Sequence, residues 1–124
     1  VLYFYPKDDT PGCTTEACSL RDNLPHFEQS GITVLGISPD TVKSHKKFTD
    51  KFTLPFTLLA DVDKAVVKAY GVWGKKKFMG REYDGVFRTS FLIDPQGKIV
   101  KIYENVKPAK HAEEVLADFK EISA

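Results

Sequence analysis

Two cysteines, Cys13 and Cys18, follow a segment of proline, aspartate, threonine and glycine, Pro6-Lys7-Asp8-Asp9-Thr10-Pro11-Gly12. An ionised cysteine is a strong nucleophile. Thiolates are favoured where a helix begins, because the first backbone N–H groups there are unpaired and the helix dipole is positive. The C-x4-C spacing matches neither the C-x2-C of zinc sites nor that of thioredoxin-type redox motifs. Two cysteines in 124 residues are too few for a disulfide-built scaffold. The ordinary alternative is a cysteine buried as a small hydrophobe. That suits Cys18, which lies among Ala17 and Leu20, better than Cys13, whose neighbours are polar and sharply turned.

The elements that must position this pair follow from the apolar pattern. Val1 to Tyr5 is apolar on both sides, as in a central parallel strand covered on both faces. Pro6 to Gly12 is a loop. From about Cys13, the residues Ala17, Leu20, Leu24 and Phe27 recur at helical spacing to near Gly31. Cys13 thus follows the carboxyl end of the first strand and opens the first helix, where open α/β sheets place ligands. Ile32 to Ile37 reads as a second strand. Pro39-Asp40, followed by Val42, His45, Phe48 and Phe52, reads as a helix entered from a capped turn, and Phe56 to Leu59 as a third strand. Asp63 is placed to cap a helix over Lys64 to Tyr70, with Gly71 at its C-terminal cap.

Val72 to Gly85 has no period and reads as a surface loop. Phe87 to Ile93 and Lys98 to Tyr103 flank the turn sequence Asp94-Pro95-Gln96-Gly97 and form a β-hairpin. Pro108 takes a first helical position before Ala112, Val115, Leu116, Phe119 and Ile122. The order β-α-β-α-β-α-β-β-α describes an α/β thioredoxin-like fold, a mixed central sheet with helices on both faces, as one domain over residues 1–124. An apolar strand at the chain start, with no initiator methionine, predicts that N-terminal sequence is missing.

The bulk composition narrows the functions. A chain of 124 residues that is 42% hydrophobic sustains one core. A net charge of +1 lacks the field by which nucleic-acid and anionic-membrane binders work, and Lys75-Lys76-Lys77 is too short to reverse that. No apolar stretch approaches the ~18–20 residues of a membrane span, so the chain reads as soluble and cytoplasmic. His26, His45 and His111 fall on different helices, have no ligand spacing to the cysteines and read as surface residues, so no metal site is expected.

Pro6, Thr10 and Cys13 match the P-x-x-x-[T/S]-x-x-C motif, and on it the chain resembles the peroxiredoxins; Glu16 fits an acidic position three residues after the reactive cysteine. The run Tyr-Pro-Lys-Asp-Asp-Thr-Pro-Gly-Cys-Thr looks like the Q-type branch, also called bacterioferritin comigratory protein. The resemblance spans essentially the whole chain, except that the family's N-terminal β-hairpin is absent. It implies a thiol-dependent peroxidase for hydrogen peroxide and organic hydroperoxides, with Cys13 as the attacking sulfur. Cys18 resembles the resolving cysteine, which closes an intramolecular disulfide that thioredoxin or a glutaredoxin-like donor reduces. Arg88, ahead of Thr89-Ser90-Phe91-Leu92-Ile93-Asp94, looks like the arginine the family brings to the site. The resemblance makes Thr10 and Arg88 peroxide-stabilising groups, Pro6 a shield against water and Glu16 the residue that orients Arg88. It implies no metal, flavin or haem, and a monomer or weak dimer.

Stabilising groups are required by the chemistry. Lowering a thiol pKa from ~8.5 to ~6 raises the thiolate fraction at neutral pH about thirtyfold, but a Brønsted slope of ~0.4–0.5 cancels more than about tenfold of it. Most of the acceleration must come from donors aimed at the peroxide oxygens. Two other readings use the same fold. A dithiol–disulfide oxidoreductase would want C-x2-C and would have no use for Thr10 or Arg88, and in a non-catalytic thioredoxin-like binding module Cys13 would be dispensable.

Overall fold

The computed structural model describes residues 1–123, without the side chains of Phe78, Ile122 and Ser123. The chain runs β1 (Leu2–Phe4), α1 (Pro11–Asp22), α2 (Leu24–Gln29), β2 (Leu35–Ser38), α3 (Val42–Phe52), β3 (Thr57–Ala60), α4 (Ala65–Ala69), β4 (Trp73–Phe78), β5 (Arg81–Val86), β6 (Thr89–Ile93), β7 (Ile99–Tyr103) and α5 (His111–Ser123). Five strands form one mixed sheet in the order β3-β2-β1-β6-β7. β1 and β2 are parallel, as are β2 and β3, while β6 runs antiparallel to both β1 and β7. This is the thioredoxin-like arrangement expected from the element order.

β1 is central and its side chains alternate between two cores, as a strand covered on both faces requires. Tyr3 and Tyr5 point into a core shared with Cys13, Ala17 and Leu20 of α1, Phe27 of α2, Phe48 of α3 and Val115 of α5. Phe4 points the other way, to Ile37, Val67, Val72, Val86 and Phe91. Among the described residues, no helix is long and apolar enough to cross a membrane.

Four local features depart from the sequence reading. The helix expected from Cys13 to near Gly31 is two helices that break at Asn23. Pro25 has no N–H for the carbonyl four residues back, and its ring crowds that carbonyl. Pro11 occupies the first helical position instead of preceding it, so Cys13 is the third residue of α1. Val72 to Gly85 is mostly the antiparallel β4–β5 hairpin, closed between Phe78 and Arg81 by Met79 and Gly80, both at positive φ (52° and 78°). Two such residues make the tight turn that suits strand twist. α4 is shorter than expected and is capped by Asp61, not Asp63: the Asp61 carboxylate accepts from Val66 N at 3.2 Å and Val67 N at 2.8 Å.

Candidate active site

The loop after β1 turns at Asp9, which takes a left-handed conformation (φ 56°), and reaches the N-cap of α1 at Thr10 (φ −96°, ψ 155°). Thr14 N–H donates to the Thr10 carbonyl at 2.8 Å, so the first turn is closed around Cys13. The Thr10 hydroxyl makes no capping bond; it donates to the Lys7 carbonyl at 2.9 Å. Its proton is therefore committed, and its oxygen keeps lone pairs to accept another. Thr10 and Pro6 are both half-buried at the two ends of this loop.

Cys13 is 1% exposed. Arg88 enters from the residue before β6 and donates from Nη2 to Cys13 Sγ at 3.1 Å and from Nη1 to Glu16 Oε1 at 2.8 Å. Glu16 shares the inward face of α1 with Cys13 because residues three apart on a helix are neighbours. The guanidinium lies close over Gly12, where a Cβ would come within 3.2 Å of Nη2 and push it by a few tenths of an ångström. The structure thus brings together Cys13, Glu16 and Arg88 as the sequence predicts. Cys18 stands apart: it is half-exposed and reduced, on the same helix, about 7.5 Å further along and about 140° round.

Burial pushes the Glu16 carboxyl up to about 7, and the charge and hydrogen bond of Arg88 only partly offset it. Its Oε2 and the Tyr3 hydroxyl are both buried without a hydrogen-bond partner. Burial raises the Tyr3 phenol well above its ordinary value, with Glu16 and Cys13 adding to the effect. Tyr3 is therefore neutral in the core that it shares with Cys13.

A second polar cluster adjoins this one and was not expected from sequence. Asp8, in the middle of the loop, is bound by Tyr5, Ser44 and His45. His45 and His111 are buried, not surface residues as read from sequence; His26 is exposed. His111 Nε2 pairs with Ser90 Oγ at 2.7 Å, and burial lowers its pKa against the opposing pull of Glu114. The sequence held one clue. His45 occupies the same helical stripe as Phe48 and Phe52, which marks an inward face. Asp8, Asp40 and His45 lie close enough to surround an ion; both Asp8 oxygens, Asp40 Oδ2 and His45 Nδ1 are already hydrogen-bonded to one another, to the Asp8 N–H or to the hydroxyls of Tyr5, Ser38 and Ser44.

Comparison with known proteins places the chain in a family. Residues 1–102 match the AhpC/TSA family. The chain is 49% identical over 121 residues to Peroxiredoxin Bcp of Escherichia coli (strain K12), covering 98% of this chain and 78% of that protein. The solved structure of Xanthomonas campestris bacterioferritin comigratory protein, studied for alkyl peroxide reduction, matches with a TM-score of 0.92 at 42% identity; the match covers 97% of this chain and 76% of that one. A mutant of Xylella fastidiosa PrxQ matches with a TM-score of 0.93 at 44% identity, over 99% of this chain and 76% of that one.

Proposed function

Because this chain belongs to the AhpC/TSA family and is a peroxiredoxin, we propose that Cys13 is the sulfur that reduces hydrogen peroxide and organic hydroperoxides, and that Cys18 resolves the product. The observation that carries this reading is the Arg88 fork, which holds Cys13 Sγ with one nitrogen and the buried Glu16 with the other.

The Cys13 thiolate attacks the nearer peroxide oxygen. A sulfur–oxygen bond forms from the sulfur electron pair, the O–O bond breaks, and the far oxygen leaves as hydroxide or alkoxide and takes up a proton. Arg88 stabilises negative charge first on sulfur and then along the breaking bond, and it cannot lose its own charge. The Thr10 oxygen, its proton committed to Lys7, accepts the peroxide hydrogen and so orients the attacked oxygen. Pro6 keeps water from the sulfur, and Glu16 holds Arg88 in place. The Cys18 thiol then displaces water from the Cys13 sulfenic acid to give a disulfide. A thioredoxin or glutaredoxin-like dithiol returns both cysteines to thiols and is itself oxidised.

Intact-mass analysis after one equivalent of peroxide tests the assignment. Loss of two hydrogens is expected in the wild type, an oxygen adduct in Cys18→Ser, and neither in Cys13→Ser. An oxygen adduct alone in the wild type would remove Cys18 from the cycle.

A further inference from the structure

Asp8 lies two residues before Thr10, yet it is only 7% exposed. Its carboxylate is bound from outside the loop: Tyr5 Oη donates to Oδ1 at 2.6 Å, Ser44 Oγ to Oδ2 at 2.8 Å, and His45 Nδ1 lies 2.7 Å from Oδ2. Asp8 N–H donates to Asp40 Oδ2 at 2.8 Å, which also accepts from Ser38 Oγ at 2.6 Å. The other ring nitrogen of His45, Nε2, sits 2.9 Å from the Leu59 carbonyl. A carbonyl only accepts, so Nε2 carries a proton. Nδ1 faces a carboxylate, so one further proton is held between ring and acid, and three donors around Asp8 favour carboxylate and imidazolium. Burial opposes both charges, but these hydrogen bonds outweigh it, holding the Asp8 carboxyl below its ordinary range and the His45 imidazole above it. The loop is thereby tied at its middle to the end of β1, the turn before α3, α3 itself and, through His45, β3.

We propose that Asp8 and His45 are positioning residues for the peroxidase reaction: their buried ion pair anchors the Pro6–Gly12 loop to α3 and so fixes the Lys7 carbonyl that commits the Thr10 proton. This rests on the reading of Cys13 as the peroxide-reactive sulfur. The anchor lies outside α1, so it holds the loop whether or not the first turns of that helix are wound. Its two members fail in opposite pH directions: acid protonates Asp8, and base deprotonates His45. Asp40 adds a negative charge beside His45 from the turn before α3, Tyr5 stays neutral because burial raises its phenol, and Ser44 and the Leu59 carbonyl are uncharged.

The test compares Asp8→Asn and His45→Gln with wild type in two second-order rates, oxidation of Cys13 by hydrogen peroxide and its alkylation by iodoacetamide. Oxidation is expected to slow about tenfold or more, since small misplacements of reacting groups cost rate steeply, while alkylation changes less than about twofold. In wild type the ratio of oxidation to alkylation should fall as pH rises through the His45 titration; in His45→Gln it should be low and flat. A merely structural role would expose the thiol, speed alkylation and leave that pH profile unmoved. Ser44→Ala removes one donor to Asp8 and should slow oxidation about two- to threefold. Wild-type oxidation rates in the folded Asp8 and His45 variants overturn the proposal, as does an unchanged rate in Ser44→Ala if the stronger variants do not fold. Failure of the underlying reading looks different, because peroxide would then leave Cys13 unoxidised in the wild type.

Discussion

Arg88 meets two acceptors with two separate nitrogens, so its planar shape is used as well as its charge. Arg88→Lys keeps the charge and loses the fork. The rate of Cys13 oxidation by peroxide, followed by rapid quench, is expected to drop about tenfold or more; an unchanged rate would mean that charge alone suffices. Glu16 carries a pH signature. Its folded value of about 7 lies above the ordinary 4.5, so the stability it contributes is fully present below the unfolded value and is lost as pH rises through about 7. Glu16→Gln removes that loss. Relative to wild type, the variant should melt higher at about pH 8 than at about pH 5, by the equivalent of roughly 2–3 kcal/mol; equal differences at both pH values would place the Glu16 carboxyl in its ordinary range. Cys13, Thr10, Glu16 and Arg88 were singled out through the family resemblance, three of them in one short string and Arg88 ahead of a strand. Asp8 and His45 were not, since each is buried by a partner 37 residues away in sequence.

At the scale of elements, α1 has two duties that conflict. Wound, it places Cys13, Glu16 and the first N–H groups around the site, but it also separates the cysteines. Five residues along a helix put their Cα atoms roughly 8–9 Å apart, beyond the ~7 Å that a disulfide tolerates. Closing the proposed bridge therefore requires unwinding from Cys13 to about Leu20. Amide hydrogen exchange over Thr14 to Arg21 is expected to be faster in the disulfide form than in the reduced form. Equal protection would mean that Cys18 does not close the bridge. The helix was visible from its apolar spacing, whereas its division was not, because Leu24 and Phe27 continue the stripe across the break that Pro25 imposes. The β4–β5 hairpin was missed because its turn is Met79-Gly80, not the Asn-Gly or Asp-Gly that announces such turns, and its lysines hide the alternation.

For the whole molecule, the mixed sheet and its two covered faces followed from strands whose apolar runs are local, whereas the strand order β3-β2-β1-β6-β7 came only with the structure, and the site turns out to be a wall of the larger core. Ala17 and Leu20 are 0% exposed and pack with Tyr3, Tyr5 and Phe27. Unwinding α1 would expose them, at about 1.5–3 kcal/mol for the leucine alone, plus the helix hydrogen bonds. A disulfide closing so short a loop stabilises by roughly 2 kcal/mol. The oxidised protein is therefore expected to melt below the reduced one in calorimetry, opposite to the usual effect of a disulfide; a higher melting temperature would mean that the core closes again around the bridge. The unequal exposure of the two sulfurs has its own outcome. Cys13 is sealed against Arg88, while Cys18 is half-open to solvent. In the proposed cycle a donor thiolate attacks the Cys18 sulfur, and Cys13 leaves as a thiolate that returns to the guanidinium as α1 rewinds. The molecule then behaves as a rectifier: oxidising equivalents enter at one terminal, reducing equivalents at the other, and current passes in a single direction.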